Sequence, residues 1–497
     1  MRRAFPGWKI ALAAVLAGAV MATGLAPLGL WWLALPALAT ALWLARKTTP
    51  GQSAWVGWLV GVGYFGTGLN WIVEPFMVDA AADGWMAPFA LVLMAGGLAL
   101  FWAAGLGIGA SLPRRSMGLV TGMTAMEFLR GYVMTGFPWA LPAHFWIDTP
   151  MAQVDALIGP FGLTLLTLLV ASLAAGLTRR SLACAAGLLA SGWAYGLWAL
   201  AQPAPPAPGL TLRLVQPDAA QDAKWDPEHA QLFFDRLMTA TAAPPGTLGT
   251  PDLVIWPETA LPYLVEDDPQ LPAIITTASR GVPVVVGLQR VEENGADMLG
   301  FNSLKVFGAG GKLLATYDKH HLVPFGEYIP FGDLAYDWFG IGAFAARTGH
   351  AYTAGPGAKV LDLGAKLGKV LPLICYEAVF PQDLRVSDRA QWIMQITNDA
   401  WFGTLSGPFQ HAEQARLRAI EQGLPLVRVG NTGVTEVIDA RGRITAALPF
   451  GALGFLDAAL PGPLDSPPYC RYGEIPALLL LAGCVFLAIR RQSAPSA

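Results

Sequence analysis

Before residue 201 the chain runs through seven apolar stretches of roughly twenty residues, at about 8–26, 28–45, 54–76, 86–112, 116–134, 157–178 and 181–200, and an eighth lies at about 474–489. Lipid offers a backbone no hydrogen-bond partner, and about 20 helical residues cross about 30 Å of hydrocarbon, so such stretches are expected to span a membrane as helices. Charged side chains make up 13% of the chain, where a soluble protein carries about 25%. Few of those charges fall before residue 201, and this step in composition separates a bilayer region from a water-facing one. The formal net charge of −3 leaves no basic excess for neutralising phosphate backbones, which argues against nucleic acid as a partner.

Orientation is read from the short connections. Arg2, Arg3 and Lys9 precede the first stretch; Arg46 and Lys47, Arg114 and Arg115, Arg179 and Arg180, and Arg490 and Arg491 follow the second, fourth, sixth and eighth. The intervening connections carry Glu74, Asp79, Asp83, Asp148 and Asp155, apart from Arg130 at the end of the fifth stretch. Cations stay on the cytoplasmic side, so both termini are expected there and the segment 201–473 outside. The basic start and apolar run resemble a signal peptide, but no clear small-residue cleavage site follows, so a retained anchor is expected. Glu127 and Arg130, three apart in the weakest stretch, are expected to pair on one helix face. The expected organisation is a bundle over 1–200 with seven spans, a Pro/Ala linker over 201–209, an external domain over 210–465, a final helix over 474–489 and a cytoplasmic tail over 490–497.

From Leu210 onward, short apolar runs bounded by Gly, Pro and Asp alternate with helical segments, the rhythm of a layered α/β domain. Strands are expected at 210–215, 253–256, 282–288, 303–307, 313–317, 370–374, 392–397, 426–429 and 435–439, with a helix over Pro408–Glu421. Cys184 and Cys484 lie in apolar stretches, Cys470 at the foot of the last, and Cys375 in the external segment; no Cys/His spacing suggests a metal. An oxidising compartment would permit Cys375 to pair with Cys470. However, Leu371-Pro-Leu-Ile-Cys-Tyr-Glu377 reads as a buried strand ending on a thiol, where open α/β folds place chemistry.

Two other strand ends carry complementary groups. Asp252-Leu-Val-Ile-Trp-Pro-Glu258 ends on a carboxylate and Leu313-Leu-Ala-Thr-Tyr-Asp-Lys319 on an ammonium. A free thiol is mostly protonated at neutral pH, so a nucleophilic Cys375 needs a base such as Glu258 and a cation such as Lys319. Lys319 and the backbone N–H after the cysteine could also meet the oxyanion of a tetrahedral intermediate. Acyl transfer through a thioester is the chemistry this set supports. No Gly-x-Ser-x-Gly elbow favours a serine esterase.

The segments Ile255-Trp-Pro-Glu-Thr-Ala260, Tyr317-Asp-Lys-His-His-Leu-Val-Pro-Phe-Gly-Glu-Tyr-Ile-Pro330, Ile374-Cys-Tyr-Glu377 and Thr397-Asn-Asp-Ala-Trp-Phe-Gly403 resemble the nitrilase superfamily. With the apolar stretches, essentially the whole chain resembles its membrane-bound branch, the bacterial apolipoprotein N-acyltransferases. The resemblance implies about eight membrane helices joined to a nitrilase-like αββα sandwich with a Glu258–Lys319–Cys375 triad. It implies supporting roles for Glu327, Glu377, Tyr376 and Trp401. Asn302 and Trp225 also match family positions, the alternatives being a turn amide and a packed aromatic. His320 and His321 are read as local support, and Asn398 and Asp399 as turn formers that shape the pocket wall.

The implied reaction takes an acyl chain from a phospholipid to Cys375, then to the α-amine of diacylglyceryl-cysteine on a lipoprotein, with no cofactor and no metal. The implied partners are a phospholipid donor, a diacylated apolipoprotein acceptor and the bilayer. The implied location is the bacterial inner membrane, with the catalytic domain periplasmic. A membrane-tethered amidase or nitrilase is the alternative within the same chemistry, and a non-catalytic transporter or scaffold the alternative outside it. Residues 331–344, rich in aromatics and broken by Gly332, Gly340 and Gly342, read as a lid carrying Trp338, Phe339 and Phe344, or else as ordinary core.

Overall fold

A computed structural model describes residues 5–490, apart from 222, 225–226, 262–263, 266–267, 295–296 and 331–351. The chain divides into two compact units. One comprises residues 1–203, 404–422 and 466–497, and the other residues 204–403 and 423–465.

Helices occupy each of the eight apolar stretches of the first unit: Trp8–Met21, Trp31–Lys47, Pro50–Gly68, Ala87–Ala110, Arg115–Tyr132, Asp155–Ala174, Arg179–Ala201 and Ile475–Ile489. Among the described residues, the number long and apolar enough to cross a membrane is smaller than the eight expected. Ala80–Ala110, Pro150–Ala174 and Arg179–Ala201 meet that measure, and a fourth joins if Pro50–Gly68 and Asn70–Met77, bent by 48°, count as one span. Trp8–Gly24 and Ile475–Ile489 are apolar but shorter. Glu127 and Arg130 form the expected ion pair, both buried, and Arg130 also donates to the Trp139 carbonyl at 2.8 Å.

The helix expected over Pro408–Glu421 forms over Gly407–Gln422, and it packs within this first unit. Its burial on nearly all sides explains why polar residues repeat along it. Gln410 accepts from Trp139 Nε1 at 2.8 Å and donates to the carbonyls of Gly68 and Ala26 at 2.9 and 3.3 Å. Glu413 accepts from the Ala26 N–H at 3.3 Å, Arg416 reaches Asp148 at 2.7 Å, and Arg418 pairs with Glu421. The bonds of Gln410, Glu413 and the Arg418–Glu421 pair satisfy groups that burial would otherwise leave unpaired.

The second unit is built on two six-stranded sheets. The first orders β12 (Gly454–Ala459), β1 (Thr211–Gln216), β2 (Leu253–Ile255), β3 (Val284–Asn294), β4 (Asp297–Phe307) and β5 (Leu313–Asp318). The second orders β11 (Ile444–Leu448), β10 (Thr435–Ile438), β9 (Leu426–Gly430), β8 (Trp392–Thr397), β7 (Lys369–Ile374) and β6 (Leu361–Asp362). In each sheet a parallel triplet, β1-β2-β3 or β7-β8-β9, is flanked by antiparallel neighbours. The nine expected strands form; β6, β11 and β12 are additional. Both β11 and β12 alternate or lie open to solvent and are rich in Ala and Gly, so they lacked the apolar, β-branched signal. The helices Pro227–Ala242 and Leu271–Ala278 cover the first sheet, with Leu237, Leu271 and Ile275 packed against Val254, Trp256, Val284 and Val286. The sheets meet through side chains such as Thr435, whose hydroxyl donates to Gln216 at 2.6 Å.

Gln410→Leu should leave the Trp139 indole and two carbonyls without partners and destabilise the helical unit, at about 1–3 kcal/mol per orphaned group. Thermal unfolding of the detergent-solubilised protein checks this; an unchanged midpoint would show that water replaces the glutamine.

Candidate active site

Strand ends deliver the chemistry. Glu258 follows β2, Lys319 follows β5, Cys375 follows β7, and Asn302 lies on β4. Gly287 on β3 lets the Glu258 segment come close: a Cβ there would lie 2.2 Å from the Pro257 carbonyl oxygen. The three expected catalytic residues are buried together.

Lys319 is the centre of the cluster. Its ammonium, 1% exposed, donates to Glu327 Oε1 at 2.9 Å and lies 3.4 Å from Glu258 Oε1. Burial works against the charge, but Glu327, Glu258 and the Cys375 sulfur outweigh it and hold the lysine well above its ordinary pKa. Asn302 Nδ2 bridges the two acids, donating to Glu258 Oε1 at 2.7 Å and Glu327 Oε1 at 3.0 Å. The Asn398 N–H donates to Glu258 Oε2 at 2.8 Å, and the Val323 N–H to Glu327 Oε2 at 2.8 Å. Both carboxylates are thus aimed from two sides. Asn302 is therefore part of the cluster and not only a turn amide.

A second buried cation stands behind Glu258. Lys224 Nζ donates to Thr259 Oγ1 at 2.7 Å and to the Glu258 carbonyl at 3.3 Å; burial lowers its pKa to about 8, against the pull of Glu258. Sequence reasoning passed over Lys224 in favour of its neighbour Trp225.

Cys375 adopts a left-handed backbone, φ 51°, which costs a non-glycine residue roughly 1–2 kcal/mol and turns the chain sharply out of β7. Burial pushes its thiol pKa up and the Glu258 carboxylate adds to that, while Lys319 and a hydrogen bond with Thr397 oppose it. The protonated thiol is therefore favoured. No disulfide joins Cys184, Cys375, Cys470 and Cys484, so the Cys375–Cys470 pairing does not form.

Glu377 staples the turn that carries Cys375 to the segment after Lys319. Its Oε2 accepts from the Ile374 N–H at 2.7 Å, and its Oε1 from the Tyr317 hydroxyl at 2.9 Å, the His320 N–H at 2.8 Å and the His320 imidazole at 2.6 Å. Asp383 holds the far side, 2.7 Å from His321 Nδ1 and 3.5 Å from His320 Nε2. Burial disfavours a charged His320, but Asp383 and Glu377 win and raise its pKa to about 9. Tyr376 is buried edge-on against Phe380, ring centroids 4.9 Å apart. Trp401 is half-buried on the turn Asp399–Phe402. Trp225 and the expected lid residues Trp338, Phe339 and Phe344 lie outside the described residues. No group of three or more His, Cys, Asp and Glu suited to a metal ion occurs among the described residues.

Sequence reasoning also missed Gln395 on β8 and Arg428 on β9, both fully buried. The available signal was a polar or charged residue inside an otherwise apolar strand, as in Trp-Ile-Met-Gln-Ile-Thr and Leu-Val-Arg-Val-Gly.

His320 has a folded pKa above its ordinary 6.5, so its charge contributes stability that is fully present below about pH 6.5 and is lost as pH rises through about 9. The thermal midpoint should therefore fall between pH 7 and 9.5, and His320→Gln should flatten that fall. Parallel pH profiles for the two proteins would refute the assignment.

Residues 17–173 match the model of the apolipoprotein N-acyltransferase N-terminal domain, and residues 211–463 that of the carbon-nitrogen hydrolases. An apolipoprotein N-acyltransferase of Caulobacter vibrioides is 39% identical over 88% of this chain and 86% of its own length. That of Rhodopseudomonas palustris is 36% identical over 98% and 96%. Among solved structures, an amidase of Nesterenkonia AN1 from the nitrilase superfamily is similar at 18% identity and a TM-score of 0.39, covering 57% of this chain and 100% of that one. The paired sheets with Glu258, Lys319 and Cys375 at their strand ends, and the full-length relatives, lead to one conclusion: this chain belongs to the apolipoprotein N-acyltransferases, membrane proteins with a nitrilase-like carbon-nitrogen hydrolase domain.

Proposed function

We propose that this enzyme moves an acyl chain from a phospholipid, through a thioester on Cys375, to the α-amine of diacylglyceryl-cysteine at the start of a lipoprotein. The observation that carries the site assignment is the buried cluster of Glu258, Lys319 and Glu327 around the thiol at φ 51°. Glu258 takes the Cys375 proton; the thiolate attacks the ester carbonyl, and Lys319 faces the negative charge that develops. Glu258 then returns the proton to the departing alcohol, a lysophospholipid. The lipoprotein amine attacks the thioester, gives a proton to Glu258 and leaves as the amide, and the thiol is restored. Glu327 and Asn302 hold Lys319 and Glu258 in place, and Glu377 holds the nucleophile turn.

The proposed setting is the bacterial inner membrane, with eight crossings, both termini cytoplasmic and the α/β unit periplasmic. The basic residues at every second connection support that orientation. The proposed domain limits are a bundle to residue 200, a linker over 201–209, the catalytic domain over 210–465 and a final helix over 474–489. Both substrates are lipid-anchored, so an enzyme in the same bilayer converts a three-dimensional search into positioning.

The match to carbon-nitrogen hydrolases favours a second reading, hydrolysis with water as the acceptor. Purified protein given an acyl-labelled phospholipid and a diacylated lipopeptide should place the label on the peptide amine as an amide. Release as free acid alone would overturn acyl transfer. Cys375→Ala should abolish labelling of the protein, and Glu258→Gln should slow acylation by about 10²–10⁴-fold. Label persisting on the Cys375→Ala protein would remove Cys375 from its role.

A further inference from the structure

A closed circuit of buried side chains leaves Cys375 by its thiol and returns to it by its carbonyl. The Cys375 side chain hydrogen-bonds with that of Thr397, the last residue of β8. Thr397 Oγ1 donates to Asp399 Oδ1 at 3.0 Å, and Asp399 Oδ2 accepts from Arg428 on β9. Arg428 Nη1 donates to Gln395 Oε1 at 2.8 Å, and Gln395 Nε2 donates to the Cys375 carbonyl at 3.1 Å. Gln395 and Arg428 are register partners on adjacent parallel strands, so one face of the sheet carries the return path. Thr397, Asp399, Arg428 and Gln395 are all fully buried. Gly433 closes over the ion pair: a Cβ there would lie 2.0 Å from Asp399 Oδ2.

A threonine hydroxyl has one hydrogen to give. In the resting thiol state it goes to Asp399, and the hydroxyl oxygen is left to accept from the S–H. Once the thiol proton has passed to Glu258, the sulfur is the anion, and it competes with Asp399 for that hydrogen. The Asp399 carboxylate is already engaged by Arg428, which weakens it as an acceptor and offsets its repulsion of a thiolate. We propose that Thr397 is a thiolate-stabilising residue whose hydroxyl hydrogen swings from Asp399 to Cys375 Sγ, with Asp399 and Arg428 as the positioning residues that set the swing. The same donor meets the sulfur again when the amine expels it from the thioester. The inference concerns the reactivity of this thiol and rests on Cys375 being the nucleophile.

The groups facing the thiol are Glu258 from the end of β2, Lys319 from the end of β5, Asp399 beyond β8 and its own neighbour Tyr376. Thr397, whose side chain hydrogen-bonds with the thiol, can be deprived of its donor without changing a charge. In full-length protein carrying Cys184→Ala, Cys470→Ala and Cys484→Ala, the rate of Cys375 alkylation by iodoacetamide is followed against pH by peptide mass spectrometry. Thr397→Val should move the profile to higher pH by about one unit, seen as about tenfold slower labelling at a fixed pH on its rising limb. Thr397→Ser should restore it. Thr397→Ala should show the same shift as valine, and it carries the test should the valine protein not fold. A profile of unchanged midpoint in either variant, or failure of serine to restore it in a protein that folds, would overturn the proposal. Absence of any Cys375 labelling in the parent protein at every pH would instead count against Cys375 as the nucleophile.

Discussion

A lysine ammonium buried to 1% exposure cannot stand alone, and the catalytic unit is arranged around that fact. Lys319 draws Glu327 and Glu258 from separate loops, and each acid in turn is held by a backbone N–H. Asn302 spans the two acids with one amide nitrogen, which keeps like charges at a fixed separation. The network is preorganised before any substrate arrives, and electrostatic stabilisation is strongest when nothing has to reorient during reaction.

Around this centre the thiol is controlled from three directions. Burial and carboxylates hold it protonated, Lys319 opposes them, and the left-handed backbone at φ 51° sets the turn on which it sits. Glu377 keeps that turn in register with the segment that carries Lys319, because one carboxylate binds the N–H before Cys375 and the groups after Lys319. Loss of that single side chain would free Cys375 and Lys319 from each other while leaving each in its own segment.

The clustering of Glu258, Lys319 and Cys375 was legible because each follows a strand, where an apolar run stops on an ionisable residue that stands out against the residues before it. Nine strands were legible for the same reason, and β6, β11 and β12 were not, since they are short or open to solvent. The partners of the site were hidden by distance along the chain. Asn398 meets Glu258 across 140 residues, Lys224 meets Thr259 across 35, and Arg428 meets Asp399 across 29. Apolar stretches were equally plain, yet length and hydropathy single out fewer crossing helices than stretches, because hydropathy averages do not mark where a helix stops.

The helix Gly407–Gln422 lies in sequence between β8 and β9, neighbouring strands of the α/β unit, yet its packing partners belong to the helical unit. The catalytic unit is therefore not a contiguous piece of chain. Cutting at the Pro/Ala linker would produce a fragment that still carries Gln410 and Glu413 with their partners Trp139, Gly68 and Ala26 removed. A water-soluble version of the α/β unit would need that helix rewritten residue by residue. The membrane region is thus woven into the catalytic topology and cannot be treated as a detachable anchor.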